Sequence, residues 1–281
     1  MVYLSTGGFP NLSFDKVVES LNEVDINAFE LSGGRYTGEI KNKLKKLSLD
    51  NSLAIHNYFP PYEVPFVFNL ASLNNEIAVS SLRHAKLAID YSSYIGCRFY
   101  SFHAGYLVDP LVTELGETIG KRSLNPRQKS LSIFISRTNE LSRYAKARNV
   151  KLMIENNVLS TRNHLEFGDN PLMMVEINEA DELMSKTDDN VGLLIDVAHL
   201  KVSSKTLGFS PQEYLTHFKN VTWGYHFSDN DGFEDTNSRI TDKSWFWPFI
   251  NKKACYFSLE VYESNKKILK SQYELTKELL K

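Results

Sequence analysis

Apolar residues in this sequence gather into short unbroken runs, and the runs alternate with longer segments in which apolar positions recur at helical spacing. The runs are Val2–Ser5, Ala28–Leu31, Leu53–Asn57, Phe99–His103, Lys151–Asn156, Val191–Asp196, Val221–Phe227 and Cys255–Val261. A run that is apolar nearly throughout fits a strand covered on both faces. Between the runs the spacing predicts helices. Ser13 is a candidate cap for a helix over Phe14–Val24, with Val17 and Leu21 on one face. Asn74–Ile95 carries Ile77, Leu82, Ala85, Ala88 and Ile89 at mostly helical spacing, and Gly96 fits its stop. Further helices are predicted over Asn125–Arg148, Glu176–Lys186, Ser210–Phe218 (with Pro211 in its first turn) and Asn265–Lys281, with a shorter one over Lys243–Ile250.

Strands separated by helices pair in parallel through crossover connections. Eight such units in 281 residues predict an α/β fold, a single closed (β/α)8 TIM barrel, with residues 1–281 as one domain. The alternative is a doubly wound open sheet. No glycine-rich fingerprint follows the first run, and Gly7-Gly8 is too short to stand for one. The longest connections, Ala104–Leu124 and Ser160–Pro171, follow the fourth and fifth runs. The first contains Gly105, Pro110, Gly116 and Gly120 and is a candidate lid or interface loop.

Four of the runs close on an ionisable residue. Glu155 ends Leu152-Met-Ile-Glu, Asp196 ends Leu193-Leu-Ile-Asp, His226 ends Trp223-Gly-Tyr-His and Glu260 ends Phe257-Ser-Leu-Glu. Such groups rarely sit in apolar runs unless something offsets their desolvation. Singly, each has an ordinary structural role: a helix cap, half of an ion pair, a satisfied core histidine. Together, on four successive strands of a barrel whose reactive residues sit at the C-terminal strand ends, they predict one divalent metal site. His56 and His103 share that placement, and His199 falls on the loop or first turn after Asp196. Three carboxylates with one imidazole suit Mn, Mg, Co or Zn.

Composition narrows the partners. A formal charge of −2, with 42% hydrophobic and 23% charged residues, is ordinary for a soluble protein and gives no electrostatic reason to expect nucleic acid or a membrane surface. No apolar run approaches the roughly 20 residues that span a bilayer, and the start lacks a basic, apolar leader. The expectation is a cytoplasmic protein without nucleic-acid or membrane partners. Cys97 and Cys255 both lie beside apolar runs and are expected to be buried, reduced thiols.

Ile154-Glu-Asn, Asp196-Val-Ala-His, His226-Phe-Ser-Asp-Asn-Asp-Gly and Leu259-Glu-Val resemble the motifs of the xylose isomerase-like TIM-barrel superfamily over most of the chain. That group holds sugar and sugar phosphate isomerases and epimerases, inosose and dehydroshikimate dehydratases, and zinc-dependent apurinic endonucleases. The resemblance implies a divalent metal on Glu155, Asp196, His226 and Glu260, with Glu155 and Glu260 exchanging protons on the two faces of an enediolate-type intermediate. It also implies that His199 supports the metal or contacts a substrate hydroxyl, and that His56 and His103 line the pocket. The implied substrate is a small carbohydrate, and homo-oligomers are common in the group.

His56, Phe68-Asn-Leu and His103-Ala-Gly are similar to the zinc-binding region of the endonucleases, but Asp235-Thr-Asn237 stands where those enzymes carry Asp-x-His. A single metal ion is therefore implied rather than a full three-zinc cluster. The glycine-rich segment usual in the epimerases is replaced by Ser238-Arg-Ile-Thr-Asp-Lys-Ser-Trp-Phe-Trp-Pro. Trp245 and Trp247 read as packing for the last helix, with stacking on a sugar as the alternative. Arg239, Lys201 and Arg35 are candidate contacts for a substrate anion, against a default of solvated surface charge. The favoured function is a metal-dependent sugar or sugar-phosphate isomerase or epimerase. A dehydratase on the same scaffold comes next, then a nuclease, and last a non-catalytic binding barrel.

Overall fold

Eight parallel strands close on themselves in sequence order: β1 (Val2–Ser5), β2 (Ala28–Leu31), β3 (Ser52–His56), β4 (Phe99–His103), β5 (Lys151–Glu155), β6 (Val191–Asp196), β7 (Thr222–Phe227) and β8 (Tyr256–Leu259). The computed structural model describes residues 1–281. β8 pairs with β1 through Val2, Tyr3 and Leu4, so the sheet has no edge. This is the predicted (β/α)8 barrel. Its strands are apolar on both faces because inward side chains fill the barrel while outward ones meet the surrounding helices.

Those helices are α1 (Phe14–Asn22), α2 (Ile40–Leu47), α3 (Asn75–Tyr94), α4 (Arg127–Lys146), α5 (Thr161–Phe167), α6 (Ile177–Lys186), α7 (Val197–Leu207), α8 (Pro211–His217) and α9 (Lys266–Leu279). Three of them are absent from the sequence pattern. In α2 only Leu44 and Leu47 are buried among lysines, a stripe too thin to read. α5 falls inside the connection expected to be a loop, begun by the Ser160 hydroxyl accepting from the Asn163 N–H and ended by Gly168 at φ 67°. α7 follows β6 without a break, so its apolar residues continue those of the strand. The short helix expected over Lys243–Ile250 shrinks to a 3-10 turn at Trp247–Phe249. Cys97 is buried, but Cys255 is exposed, because it lies just ahead of β8.

Close packing fixes the sheet where β6 meets β7. A Cβ on Gly192 would stand 2.2 Å from the Trp223 ring, and beside it the register shifts between Leu193 and Leu194. No helix is long and apolar enough to cross a membrane.

α3 begins on the Asn74 side chain, which accepts from the Glu76 N–H, and it turns Ala78, Ser81, His84, Ala85, Ala88 and Ile89 inward. His84 is the one ionisable group on that face. Its Nε2–H donates to the Asn57 carbonyl at 2.7 Å, and burial pushes the imidazole down to about 4 although that bond works the other way. An unfolded imidazole titrates near 6.5, so between these values the unfolded chain binds more protons than the folded one. The His84 contribution to stability is therefore complete above pH ~6.5 and is lost as pH falls toward 4, amounting to about 2–3 kcal/mol. Urea unfolding at pH 7 and pH 4.5 should show His84→Gln losing about 2 kcal/mol less than the parent on acidification. An identical pH dependence in both proteins would refute the assignment.

Candidate metal centre

Register brings the polar residues to one level at the C-terminal end of the barrel. His103 stands beside Glu155, and Asp196 beside His226. Glu260 follows β8 directly, its N–H held by the Phe227 carbonyl at 2.9 Å. Glu155, Asp196, His226 and Glu260 each offer a ligand atom within 4.8 Å of the others. The four strand-closing residues of the sequence thus converge on one point.

Local structure explains how each is aimed. Asp196 is both strand end and helix cap: one oxygen, Oδ1, accepts from the Ala198 and His199 N–H groups at 2.7 Å each, starting α7. Its Oδ2 is left free and points inward without a partner. His226 donates Nε2–H to Glu30 at 2.8 Å, which turns Nδ1 toward Glu260 Oε2 at 2.9 Å and Glu155 Oε1 at 3.3 Å. Glu30, wholly buried, is held in turn by the Ser258 hydroxyl at 3.0 Å and the Tyr256 hydroxyl. Glu260 Oε1 accepts from Tyr262 at 3.3 Å and Ser5 at 3.5 Å.

A metal ion fits this donor set. Both oxygens of Glu155, Asp196 Oδ2 and His226 Nδ1 are buried with no hydrogen-bond partner. Burial opposes charge on His226, yet Glu30 and Glu155 hold its imidazole well above the usual range, so a cation at the centre would take the place of the Nδ1 proton among the three carboxylates.

Four imidazoles surround Glu155. His56 Nε2 lies 3.2 Å and His103 Nε2 3.6 Å from Oε2, while His199 Nδ1 lies 3.5 Å and His226 Nδ1 3.3 Å from Oε1. Burial opposes ionisation of Glu155, yet His103, His226 and His56 hold its carboxyl well below the usual range. Burial pushes Asp196 up to about 7, against the pull of His199 and with the charges of Asp235 and Glu155 adding to it. His103 is pushed down to about 3, chiefly by burial. His199 sits in the first turn of α7, its Nδ1–H donating to the Asn156 carbonyl at 3.0 Å and its Nε2 3.2 Å from Asp235. His56 and His103 also form a second group of possible ligands that shares Glu155.

Above the centre opens a cavity of about 630 Å³. His56, His103, His199 and Glu260 line it, as do Tyr62 and Phe66 of the proline-rich loop after β3 and residues 112–119 of the long loop after β4. Arg35, Lys201 and Arg239 do not line it: Lys201 pairs with Asp229 at 2.7 Å, and Arg239 pairs with Glu263 at the surface, Nε to Oε2 2.9 Å. Trp247 packs on Phe227, ring centroids 5.0 Å apart, and Trp245 on Phe246. Asn237 accepts from the Ser228 hydroxyl at 3.2 Å. Glu30 escaped the sequence reading although Ala28-Phe-Glu-Leu carries the same signal, a carboxylate in an apolar run, one position before the end rather than at it.

A family model described as xylose isomerase-like TIM barrel matches residues 15–243. Among solved structures the chain is similar to the TTHB071 protein of Thermus thermophilus from crystals soaked with ZnCl2, at 19% identity over 99% of this chain and 98% of that one, TM-score 0.62. It is also similar to a D-tagatose 3-epimerase-like protein, at 16% identity, 99% and 96% coverage and TM-score 0.70. The 3-keto-D-glucoside 4-epimerase of E. coli in its apo form shares 10% identity, 99% and 98% coverage and TM-score 0.67. No curated protein matches the sequence. At these identities the structural likeness concerns the fold.

Adding Mn²⁺ or Zn²⁺ to chelator-stripped protein should raise its Tm, and above saturation the rise should follow the logarithm of free ion concentration. Glu30→Gln, which leaves all four ligands in place, should weaken ion affinity by about 10–100-fold, read by competition with a chromogenic chelator. Unchanged affinity would remove Glu30 from the support of His226.

Proposed function

The chain belongs to the xylose isomerase-like TIM-barrel family, and from that premise we propose that it is a divalent-metal-dependent sugar isomerase or epimerase. The observation that carries this reading is the set of partnerless buried atoms on Glu155, Asp196 and His226 directly beneath a cavity that Glu260 enters. Glu155, Asp196, His226 and Glu260 would hold the ion. When bound, a divalent ion supplies Lewis acidity to neighbouring substrate oxygens. The names of similar structures, a D-tagatose 3-epimerase-like protein and a 3-keto-D-glucoside 4-epimerase, support a carbohydrate as the substrate.

The chain's own groups then handle the proton. Among the four converging residues Glu260 is the one that lines the cavity, its Oε1 steadied by Tyr262 and Ser5 and its Oε2 2.9 Å from His226 Nδ1, and it would serve as the base toward a carbon next to a carbonyl. Glu155 lies deeper, among imidazoles that favour its ionised form. One carboxylate would take the carbon-bound proton and the other, protonated beforehand from solvent, would supply a different proton to the opposite face, which gives epimerisation. Supply to the adjacent carbon, with loss of the proton of the hydroxyl there, gives isomerisation. His199, held by the Asn156 carbonyl and Asp235, is placed to contact a substrate hydroxyl.

One observation favours a second reading. Glu155 belongs both to the four-residue group and to the group with His56 and His103. These two groups would hold two ions, and two-metal centres supply the chemistry of hydrolytic enzymes. Elemental analysis giving two ions per chain, together with cleavage of an abasic duplex, would select that reading.

Turnover of ketoses and inososes by the metal-loaded protein in D₂O tests the favoured one. The product should gain deuterium at one carbon and lose no water, whereas loss of water would identify a dehydratase. Glu260→Gln should lower kcat by about 10²–10⁴-fold with Tm unchanged. Near-parental turnover in that variant would reject Glu260 as the base.

A further inference from the structure

The cavity is larger than the reacting sugar needs. Its volume of about 630 Å³ corresponds to roughly 20 water volumes of about 30 Å³, room for about twice the heavy atoms of one hexose. The part of its wall built by the loop after β3 is aromatic and proline-rich: Tyr58, Pro61, Tyr62, Pro65 and Phe66. Tyr62 and Phe66 meet at 5.6 Å between ring centroids, and His84 closes the group at 5.5 Å from Tyr62 and 5.8 Å from Phe66.

His84 lines this cavity while being only 1% exposed. Its Nε2–H is committed to the Asn57 carbonyl, so Nδ1 is an acceptor, and Nδ1 has no partner. An acceptor left open in an apolar box costs free energy until a donor arrives. Its neighbour Asn57 follows His56 in the chain, so one short segment joins this aromatic corner to the imidazoles around Glu155.

The charge of the walls limits what can enter. Glu114, Glu117, Glu234, Asp235 and Glu260 line the cavity against Arg162, already paired with Glu117 at 3.4 Å and Glu234 at 3.1 Å, and His199, already paired with Asp235 at 3.2 Å. Away from the metal centre, a phosphate or carboxylate on the substrate would find no unpaired arginine or lysine on these walls. Aromatic walls suit the CH face of a sugar ring, and a lone imidazole acceptor suits a hydroxyl.

We propose that Tyr62, Phe66 and His84 form a second subsite that binds a neutral, hydroxyl-bearing ring attached to the reacting sugar, so that the substrate is an uncharged glycoside of disaccharide size rather than a free or phosphorylated monosaccharide. This rests on the carbohydrate reading given above. In the complex the ring packs into the angle between the Tyr62 and Phe66 rings, inclined at 66°, and their parting admits a hydroxyl that donates to the buried His84 Nδ1.

Isothermal titration of the Mn²⁺-loaded protein tests it, with D-fructose, D-fructose 6-phosphate and the fructose-containing disaccharides lactulose, turanose and isomaltulose. At least one disaccharide should bind about tenfold more tightly than fructose, and the phosphate no more tightly than fructose. His84→Phe, which removes the acceptor together with the Nε2–H bond to the Asn57 carbonyl, and Phe66→Ala, at a partly exposed position, should each cut that advantage to about twofold or less while leaving fructose affinity unchanged. Thermal unfolding confirms that either variant is folded, and Phe66→Ala serves alone if His84→Phe is not. Fructose or its phosphate binding as tightly as every disaccharide overturns the subsite and leaves the carbohydrate reading standing, as does an advantage that survives both substitutions. Failure of all five sugars to bind the loaded protein overturns both.

Discussion

Glu30, Glu155, Asp196 and His226 are wholly out of contact with water at one end of the barrel, and the cost of keeping charge there shapes everything around them. An ionised group taken from water into a protein interior loses several kcal/mol of solvation unless partners restore it. Here the partners are one another. Glu30 holds His226, His226 faces Glu155 and Glu260, and three further imidazoles crowd Glu155. The balance is incomplete, because several oxygens and one ring nitrogen still lack partners. A divalent cation is the simplest completion, and the dryness that makes the unpartnered donors costly also strengthens their grip on an ion.

The same constraint explains why structural and chemical roles coincide in single residues. Asp196 divides its carboxylate, one oxygen starting α7 and the other turned to the centre. Asn156 repeats the division on the neighbouring strand. Its amide accepts from the Asp196 N–H and donates to the Asp196 carbonyl, while its own carbonyl receives His199. Asn157 ties the loops after β4 and β5 together by donating to the carbonyls of Ala104, Gly105 and Met173. Fixing the ligands and walling the cavity are thus done by the same strand ends, which suits a site where small misplacements are expensive in rate.

The barrel could be read from the sequence because parallel strands buried on both faces leave continuous apolar runs, and the converging residues because ionisable groups end four of those runs. The places where the reading fell short have particular causes. α7 vanished into the run of β6, since a helix starting on a strand's last residue leaves no polar gap. Glu30 was passed over because Leu31 follows it and the run does not end in charge. Arg239 looked free because its partner, Glu263, is brought to it only by the fold. His84 shows nothing unusual along the chain: it is one inward position of a helix, and its open nitrogen exists only once Asn57 has claimed the other.

The bond between Glu30 and His226 also orders events in time. β2 emerges early in synthesis and β7 late, and β8, with Glu260, is the last strand made. The first half of the barrel contributes Glu30, His56 and His103, and the second contributes Glu155, Asp196, His199, His226 and Glu260. Neither half can settle its charges alone. Burial of this end of the sheet and assembly of the ligands therefore depend on strands from both halves of the chain.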